Sequence, residues 1–215
     1  MVEICPTITA DNPEQFRHQM QHVGHLSRRM HIDLADGSLA PRQLLPLGQV
    51  WWPEGKMIDL HVMTKRPVEL LGDIVEVKPH LAIVHAEAEG DFANIAKRLH
   101  EHDIKAGVAI LPDTDIRVIE PALQWIDHVL IFSGNFGYQG GAQVNFSLLS
   151  KVSWLKQAKH NLEIGWDGGV SPDNATRLAA SGIAVLNVGS TLQRESNPHI
   201  AYAKLITAVK RAGRV

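Results

Sequence analysis

The chain has 215 residues, of which 45% are hydrophobic, and its formal net charge at pH 7 is −2. This length and apolar content are sufficient for one sizeable core, so we expect a single domain spanning residues 1–215. The nearly balanced charge, with no run of lysine and arginine, argues against a nucleic-acid-binding face.

The cysteine count and the apolar runs bear on compartment and membrane association. Cys5 is the sole cysteine, which excludes an intramolecular disulfide and favours a reducing, cytoplasmic location. The first residues contain no basic segment followed by a long apolar run, so we expect no signal peptide. No stretch approaches the ~18 apolar residues that a membrane span requires.

Short apolar runs alternate with amphipathic segments along the chain. Eight runs rich in valine and isoleucine predict parallel strands covered on both faces: 2–8, 29–35, 56–62, 80–86, 104–111, 127–133, 162–167 and 184–189. The amphipathic segments predict helices at 13–26, 67–75, 91–102, 115–124, 147–159, 171–182 and 198–213. Asp11 or Asn12 before Pro13, and Ser171 before Pro172, are typical helix starts, and Gly182 is typical of a helix end.

This alternation predicts an α/β fold of the (β/α)8 type, a TIM barrel, and the length lies near the lower end for that fold. An open, doubly wound sheet shows the same alternation and is the alternative. Two longer segments, 38–55 and 134–146, interrupt the alternation of predicted strands and helices. In a barrel both would lie on the loop face that carries the active site.

Four potential metal ligands lie at or near the ends of predicted strands: His31, Asp33, His61 and Asp167. His31 and Asp33 are two residues apart, so their side chains point to the same side of one strand. Taken singly, each residue is better explained as a core histidine or a helix cap. Together, four such groups at the mouth of one barrel favour a site for Zn²⁺, Fe²⁺, Mn²⁺ or Co²⁺.

Glycines at the ends of the last two strands indicate a second feature of the mouth. Gly168 and Gly169 follow strand seven, and Gly189 and Ser190 follow strand eight. Many barrels hold a phosphate in these two loops, where glycine lets the backbone approach the anion. Gly140 and Gly141, in the long loop after strand six, could close over the same phosphate.

A metal beside a phosphate subsite favours a phosphorylated sugar as substrate. A cation that chelates a carbonyl and its neighbouring hydroxyl would stabilise the enediolate formed when the α-proton leaves. Asp33 and Asp167 could stand on opposite faces of that carbon and invert it by removing and returning a proton. The sequence leaves open which aspartate is protonated at rest.

The motifs around these residues resemble those of the ribulose-phosphate 3-epimerase family over almost the whole chain. They are H-I-D-L-A-D-G at 31–37, H-V-M at 61–63, V-H-A-E at 84–87, K-A-G-V at 105–108, D-G-G-V-S-P-D-N at 167–174 and G-S at 189–190. The resemblance implies a metal-dependent isomerase of carbohydrate metabolism and the pentose phosphate pathway. The implied reaction converts D-ribulose 5-phosphate to D-xylulose 5-phosphate.

The resemblance also implies roles for individual residues. The metal would be held by the four ligands named above, and Asp33 and Asp167 would transfer the proton. The phosphate would bind to backbone at Gly169, Gly189 and Ser190. Thr9 stands where the family has a substrate-contacting serine.

Some substrate-shaping positions depart from the family pattern. Met63 remains of three methionines that line the reacting carbon, whereas Ala35 and Phe132 occupy the other two places. These changes leave a six-carbon substrate such as D-allulose 6-phosphate as an alternative. The altered loop at 135–141 leaves a non-catalytic phosphosugar-binding protein as another.

Two further features concern the surroundings of the site and the assembly of the protein. His85 and Glu87, at the end of strand four, could support the site through hydrogen bonds or serve only the structure. Barrel enzymes often self-associate, so we expect a homo-oligomer, to which the apolar segment 44–52 could contribute.

Overall fold

The computed structural model describes residues 2–212, which form one closed barrel of eight parallel strands. The strands are β1 (Glu3–Ile8), β2 (Arg29–Ala35), β3 (Met57–Met63), β4 (Leu81–His85), β5 (Lys105–Ile110), β6 (His128–Phe132), β7 (Glu163–Asp167) and β8 (Val185–Val188). Each strand pairs with its sequence neighbour, and β8 pairs with β1. The predicted (β/α)8 fold is therefore confirmed, and the open sheet is excluded.

The helices are α1 (Pro13–Val23), α2 (Leu71–Val77), α3 (Phe92–His100), α4 (Leu149–Ala158), α5 (Pro172–Ala180), α6 (Ser190–Gln193) and α7 (Pro198–Ala212). At the start of α1 the Asn12 side chain accepts the Gln15 N–H, so Asn12 rather than Asp11 is the helix cap. Residue 213, the predicted end of the last helix, lies outside the described residues, as do residues 1, 214 and 215.

The helical segment predicted at 115–124 is present as a 3₁₀ helix, Ile116–Trp125, rather than as an α-helix. Pro121 lies inside this segment, where it lacks the N–H that an α-helical hydrogen bond would need and its ring would clash with the preceding turn.

The connection between β2 and β3 contains no α-helix, only a 3₁₀ turn at Leu47–Gln49. Leu44, Leu45 and Leu47 are buried within the chain, so they are not available to a partner. Trp51 is 45% exposed and packs its ring edge against Phe16. Self-association through this segment stays a prediction, with Trp51 as its main exposed apolar group.

Every second residue of the strands points into the barrel, so the interior is built in layers. On β2 the inward side chains are Arg29, His31 and Asp33, in order from the amino end of the strand to the mouth. The amino end holds an ionic network around Arg29, whose side chain is 2% exposed. Its guanidinium donates to Asp59 at 2.8 Å and to both oxygens of Glu163 at 2.7 and 3.0 Å.

His128 extends this network, because its Nδ1 lies 2.8 Å from Glu163 Oε1. Burial raises the pKa of Glu163, but hydrogen bonds and charges from His128 and Arg29 outweigh it and hold the pKa well below its usual value. The inward apolar side chains Leu81, Ile83, Ala109 and Leu130 form a separate inner cluster. The amino end of the barrel is thus filled by side chains, which leaves the opposite end for the site.

Within the described part of the chain, no helix combines the length and the apolar character needed to cross a membrane.

Candidate active site

The four predicted ligands converge at the mouth of the barrel. His31 and Asp33 come from β2, His61 from β3 and Asp167 from the end of β7, and one donor atom of each lies within 4.8 Å of all the others. His61 Nδ1 is 2.9 Å from Asp33 Oδ1 and 4.0 Å from Asp167 Oδ2. His31 Nε2 is 3.3 Å from Asp33 Oδ1 and 3.8 Å from Asp167 Oδ2.

The donor set fits a divalent cation. His31 Nε2 is buried without a hydrogen-bond partner and faces the two carboxylates, although a buried nitrogen of this kind normally has a partner. A cation accepting its lone pair would satisfy it. Two imidazoles and two carboxylates form a donor set that suits zinc, iron, manganese or cobalt.

His61 is oriented by a chain of hydrogen bonds on the side away from the carboxylates. Its Nε2 lies 2.8 Å from His85 Nε2, and His85 Nδ1 lies 3.1 Å from Glu87 Oε2. Because Glu87 can only accept from His85 Nδ1–H, His85 Nε2 must accept from His61 Nε2–H. His61 Nδ1 would then offer its lone pair toward the two aspartates, which is the arrangement that metal binding at this point would need.

The surrounding side chains shift the pKa values of the two aspartates in opposite directions. Burial raises the pKa of Asp33, but hydrogen bonds and charges from His31 and His61 outweigh it and hold the pKa far below its usual value. Burial and the neighbouring Asp33 charge raise the pKa of Asp167 to about 7. Burial also lowers the pKa of His61 to about 4, which keeps that imidazole neutral. Two carboxyl groups whose pKa values differ in this way are suited to act as one base and one acid.

A cleft that is partly open to solvent lies over these groups. Its lining includes seven of the eight predicted substrate-binding residues: Thr9, Met63, Gly140, Gly168, Gly169, Gly189 and Ser190. Gly141 does not line this cleft; it lies in a shallow outer groove together with Arg194.

The loop after β6 passes close over the end of β7 because glycine leaves room for it. A Cβ on Gly169 would lie 2.6 Å from Val144 N, and its φ of +71° also disfavours other residues. A Cβ on Gly140 would lie 3.0 Å from Ser190 Cβ. Three backbone segments, after β6, β7 and β8, therefore meet at one end of the cleft, where the sequence predicts the phosphate.

The positions that differ from the family pattern have separate locations. Phe132 lines the cleft, and its ring centroid is 5.8 Å from that of His61. Ala35 is not among the lining residues; it packs with Ala40, Leu44 and Met63 in a buried cluster. Thr9, which stands in place of the family's serine, donates a hydrogen bond from its hydroxyl to Asp33 Oδ2. It also lines the cleft, so a hydroxyl is retained there.

Asn187 is the main residue that the sequence interpretation missed. It lies in the middle of β8, is 2% exposed and places its amide 3.0 Å from His31 Nδ1. Strand alternation could have found it, since Asn187 is two residues before Gly189 and therefore points inward. A lone polar residue in an apolar strand gives no indication of its partner.

Comparisons with known proteins agree with this geometry. A model described as the ribulose-phosphate 3 epimerase family matches residues 3–193. Ribulose-phosphate 3-epimerase of Schizosaccharomyces pombe is 25% identical over 222 residues, covering 98% of this chain and 95% of that protein. The enzyme of the same name from Bacillus subtilis is 26% identical over 216 residues, covering 95% of this chain and 98% of that protein.

Solved structures with lower identity show the same fold. KGPDC from Streptococcus mutans superimposes with a TM-score of 0.73 at 14% identity and 98% coverage of both chains. 3-Hexulose-6-phosphate synthase from Salmonella typhimurium gives a TM-score of 0.71 at 12% identity, covering 98% of this chain and 100% of that one. With the family match over residues 3–193, the chain belongs to the ribulose-phosphate 3-epimerase family and is an isomerase, a carbohydrate-phosphate 3-epimerase.

Proposed function

We propose that the protein interconverts D-ribulose 5-phosphate and D-xylulose 5-phosphate by proton transfer at C3 between Asp33 and Asp167. The observation that carries this proposal is the convergence of both aspartates with His31 and His61 at one point of the barrel mouth. The strands that carry the aspartates, β2 and β7, are three steps apart around the closed barrel. The two carboxyl groups therefore approach the cleft from different sides.

The two carboxyl groups divide the chemistry between them. In one direction Asp33, as carboxylate, takes the proton from C3, and Asp167, as carboxylic acid, returns a proton from the opposite face. The configuration at C3 is thereby inverted. In the reverse direction the roles exchange, so each turnover leaves the pair ready for the other epimer.

His31, Asp33, His61 and Asp167 would hold one divalent cation. When bound, the cation would act as a Lewis acid that stabilises negative charge on the substrate oxygens beside C3, an effect worth several kcal/mol. Thr9 orients Asp33 through its hydroxyl, and the His85–Glu87 pair orients His61. The backbone at Gly169, Gly189 and Ser190 would bind the phosphate and fix the distance between it and C3.

The lining of the cleft supports the five-carbon substrate over the six-carbon alternative. Ala35 adds no room, because it does not line the cleft and instead packs with Ala40, Leu44 and Met63 in a buried cluster. Phe132, which does line the cleft, has a large rigid ring beside His61. Neither substitution lengthens the space available to the sugar.

Solvent exchange tests the chemistry. Purified protein with Zn²⁺, Fe²⁺, Mn²⁺ or Co²⁺ is incubated with ribulose 5-phosphate in heavy water, and deuterium at C3 is followed by NMR. We expect incorporation into substrate and product, and its loss after chelation and dialysis, with recovery on adding metal. Phosphosugar binding without deuterium at C3 for any metal would overturn the proposal and favour the non-catalytic alternative.

Substrate choice is tested separately by comparing kcat/KM for ribulose 5-phosphate and allulose 6-phosphate. We expect the five-carbon substrate to be preferred at least tenfold, which corresponds to about 1.4 kcal/mol of transition-state binding. A higher kcat/KM for allulose 6-phosphate would contradict the proposed substrate but leave the proposed proton transfer intact.

A further inference from the structure

Asn187 makes a buried contact across the barrel and has no role in the proton transfer proposed above. Its Nδ2 lies 3.0 Å from His31 Nδ1, joining β8 to β2, while its Oδ1 is buried without a hydrogen-bond partner. Its register partners are Cys5 on β1 and Asp167 on β7, so it lies directly beside the candidate metal centre.

The tautomer of His31 decides whether that histidine can bind a metal. Its Nε2 is the nitrogen that faces Asp33 and Asp167. A neutral imidazole that offers the Nε2 lone pair carries its hydrogen on Nδ1, which then requires an acceptor. The Asn187 Nδ2 group is only a donor and would select the opposite tautomer, with the hydrogen on Nε2 and no lone pair for a cation.

The two ends of an asparagine amide have nearly the same shape. A 180° rotation of the Asn187 amide places Oδ1 where Nδ2 now lies, 3.0 Å from His31 Nδ1, with no other movement. We propose that Asn187 is a positioning residue whose Oδ1 accepts the His31 Nδ1–H and so holds the Nε2 lone pair toward the metal centre. This inference rests on the proposed function, because it assumes that His31 is a ligand.

The two histidines would then be oriented by different chemistry. His61 is held through His85 by the carboxylate of Glu87, whereas His31 is held directly by a neutral amide. A neutral acceptor fixes the tautomer without adding a negative charge beside Asp33 and Asp167. The negative charge of the side chains at the buried centre would then come from the two aspartates alone.

Two variants of Asn187 test whether its side chain accepts a hydrogen bond from His31 or donates one. Asn187→Leu removes both polar atoms at similar size, and Asn187→Asp keeps an acceptor but cannot donate. Zn²⁺ affinity of the metal-free proteins is measured by competition with a chelating dye. Cys5→Ala, at the neighbouring buried position on β1, is the matched control for altered packing, and thermal unfolding checks that each variant folds.

We expect Asn187→Leu to weaken Zn²⁺ binding by about 10- to 100-fold and Asn187→Asp to retain binding within a few fold of wild type. In wild-type protein loaded with Zn²⁺, long-range ¹H–¹⁵N correlations should show His31 protonated at Nδ1. This spectrum needs no variant at Asn187, and its assignment comes from comparison with His31→Gln.

Equal affinity of Asn187→Leu and wild type, or equal losses in the Leu and Asp variants, would overturn the role of Asn187. His31 protonated at Nε2 in the zinc-loaded protein would do so as well. Failure of the wild-type protein to bind any divalent cation would instead contradict the proposed function itself.

Discussion

At the scale of single residues, the two aspartates differ in what surrounds them. Asp33 accepts a hydrogen bond from Thr9, and its Oδ1 lies within 3.3 Å of ring nitrogens of His31 and His61, which hold its pKa low. No side-chain hydrogen bond within the described residues reaches the Asp167 carboxyl, which is buried beside the charge of Asp33. Asp167 is therefore poorly solvated as an anion, and its pKa is raised to about 7.

Replacing Asp167 by asparagine should separate activity from stability. We expect kcat/KM for Asp167→Asn to fall by about 10³-fold or more, because the amide cannot donate or accept the transferred proton. The unfolding temperature of the metal-free protein should be unchanged or higher, since a buried charge beside Asp33 is removed. Deuterium exchange and thermal unfolding in chelator measure the two effects.

Asp173→Asn, in the exposed first turn of α5, is the control and should alter neither activity nor stability appreciably. Wild-type activity in Asp167→Asn would show that another group returns the proton. A large loss of stability would show instead that the charge of Asp167 is needed by the fold.

At the scale of strands and loops, the site follows from alternation along β2, β3 and β7. His31 and Asp33 could be predicted because two residues at the end of one strand share its inner face. His61 and Asp167 could be added because all parallel strands of a barrel end at the same mouth. The same alternation could have placed Asn187 on the inner face of β8, but not its contact with His31 Nδ1, which depends on side-chain orientation.

The helix predicted at 115–124 shows a second limit of sequence reasoning. Apolar spacing alone does not distinguish an α-helix from a 3₁₀ helix, and Pro121 disfavours the α-helix because its ring would clash with the carbonyl four residues earlier. Likewise, Gly140 and Gly141 are identical neighbours, yet Gly140 alone of the two lines the cleft. Loop conformation, which the sequence does not specify, makes that difference.

Close approach of the loops after β6 and β7 predicts a strong effect at Gly169. In Gly169→Ala the new methyl group would meet backbone atoms of residues 143 and 144 and force a positive φ, which costs about 1–2 kcal/mol by itself. We expect lower stability and a rise in KM of roughly tenfold, equivalent to one backbone hydrogen bond to phosphate.

Gly72→Ala is the matched control, because its added methyl group would meet no atom and it lies within α2. Alanine is the better helix former, so this variant should be as stable as wild type or up to about 1 kcal/mol more stable. Chemical denaturation and steady-state kinetics test both variants. Equal KM values in the two would contradict a phosphate subsite at this loop.

At the scale of the whole molecule, one end of the barrel interior carries the proposed active site and the other contributes to stability. The mouth carries the groups proposed for catalysis, and the opposite end carries the buried network of Arg29, Asp59, Glu163 and His128. Leaving the Arg29 charge without Glu163 would be costly, because Arg29 is almost fully buried. Changes at this end should therefore affect stability while the proposed chemistry at the mouth is retained.

Glu163→Gln should destabilise the protein by about 3 kcal/mol at pH 7, in a pH-dependent manner. The pKa of Glu163 is lowered by folding, so its stabilising contribution is complete above the unfolded-state pKa of roughly 4.3 and is lost as the pH falls through the lower folded-state value. The difference between wild type and variant should thus be large at pH 7 and decrease below about pH 4.

Urea denaturation between pH 7 and pH 3 measures this difference, with Glu76→Gln, an exposed residue of α2, as the control. A difference that stays constant over this range would show that the contribution of Glu163 is not electrostatic.

The single thiol has a practical consequence for following the loop after β6 in solution. Cys5 is fully buried, and burial raises the pKa of its thiol, so it should resist maleimide reagents in the native state. Tyr138, in that loop, is 49% exposed, and Tyr138→Cys would therefore accept a fluorophore at one defined point without removal of the native cysteine. Emission from that dye would report in real time how the loop responds when a phosphosugar enters.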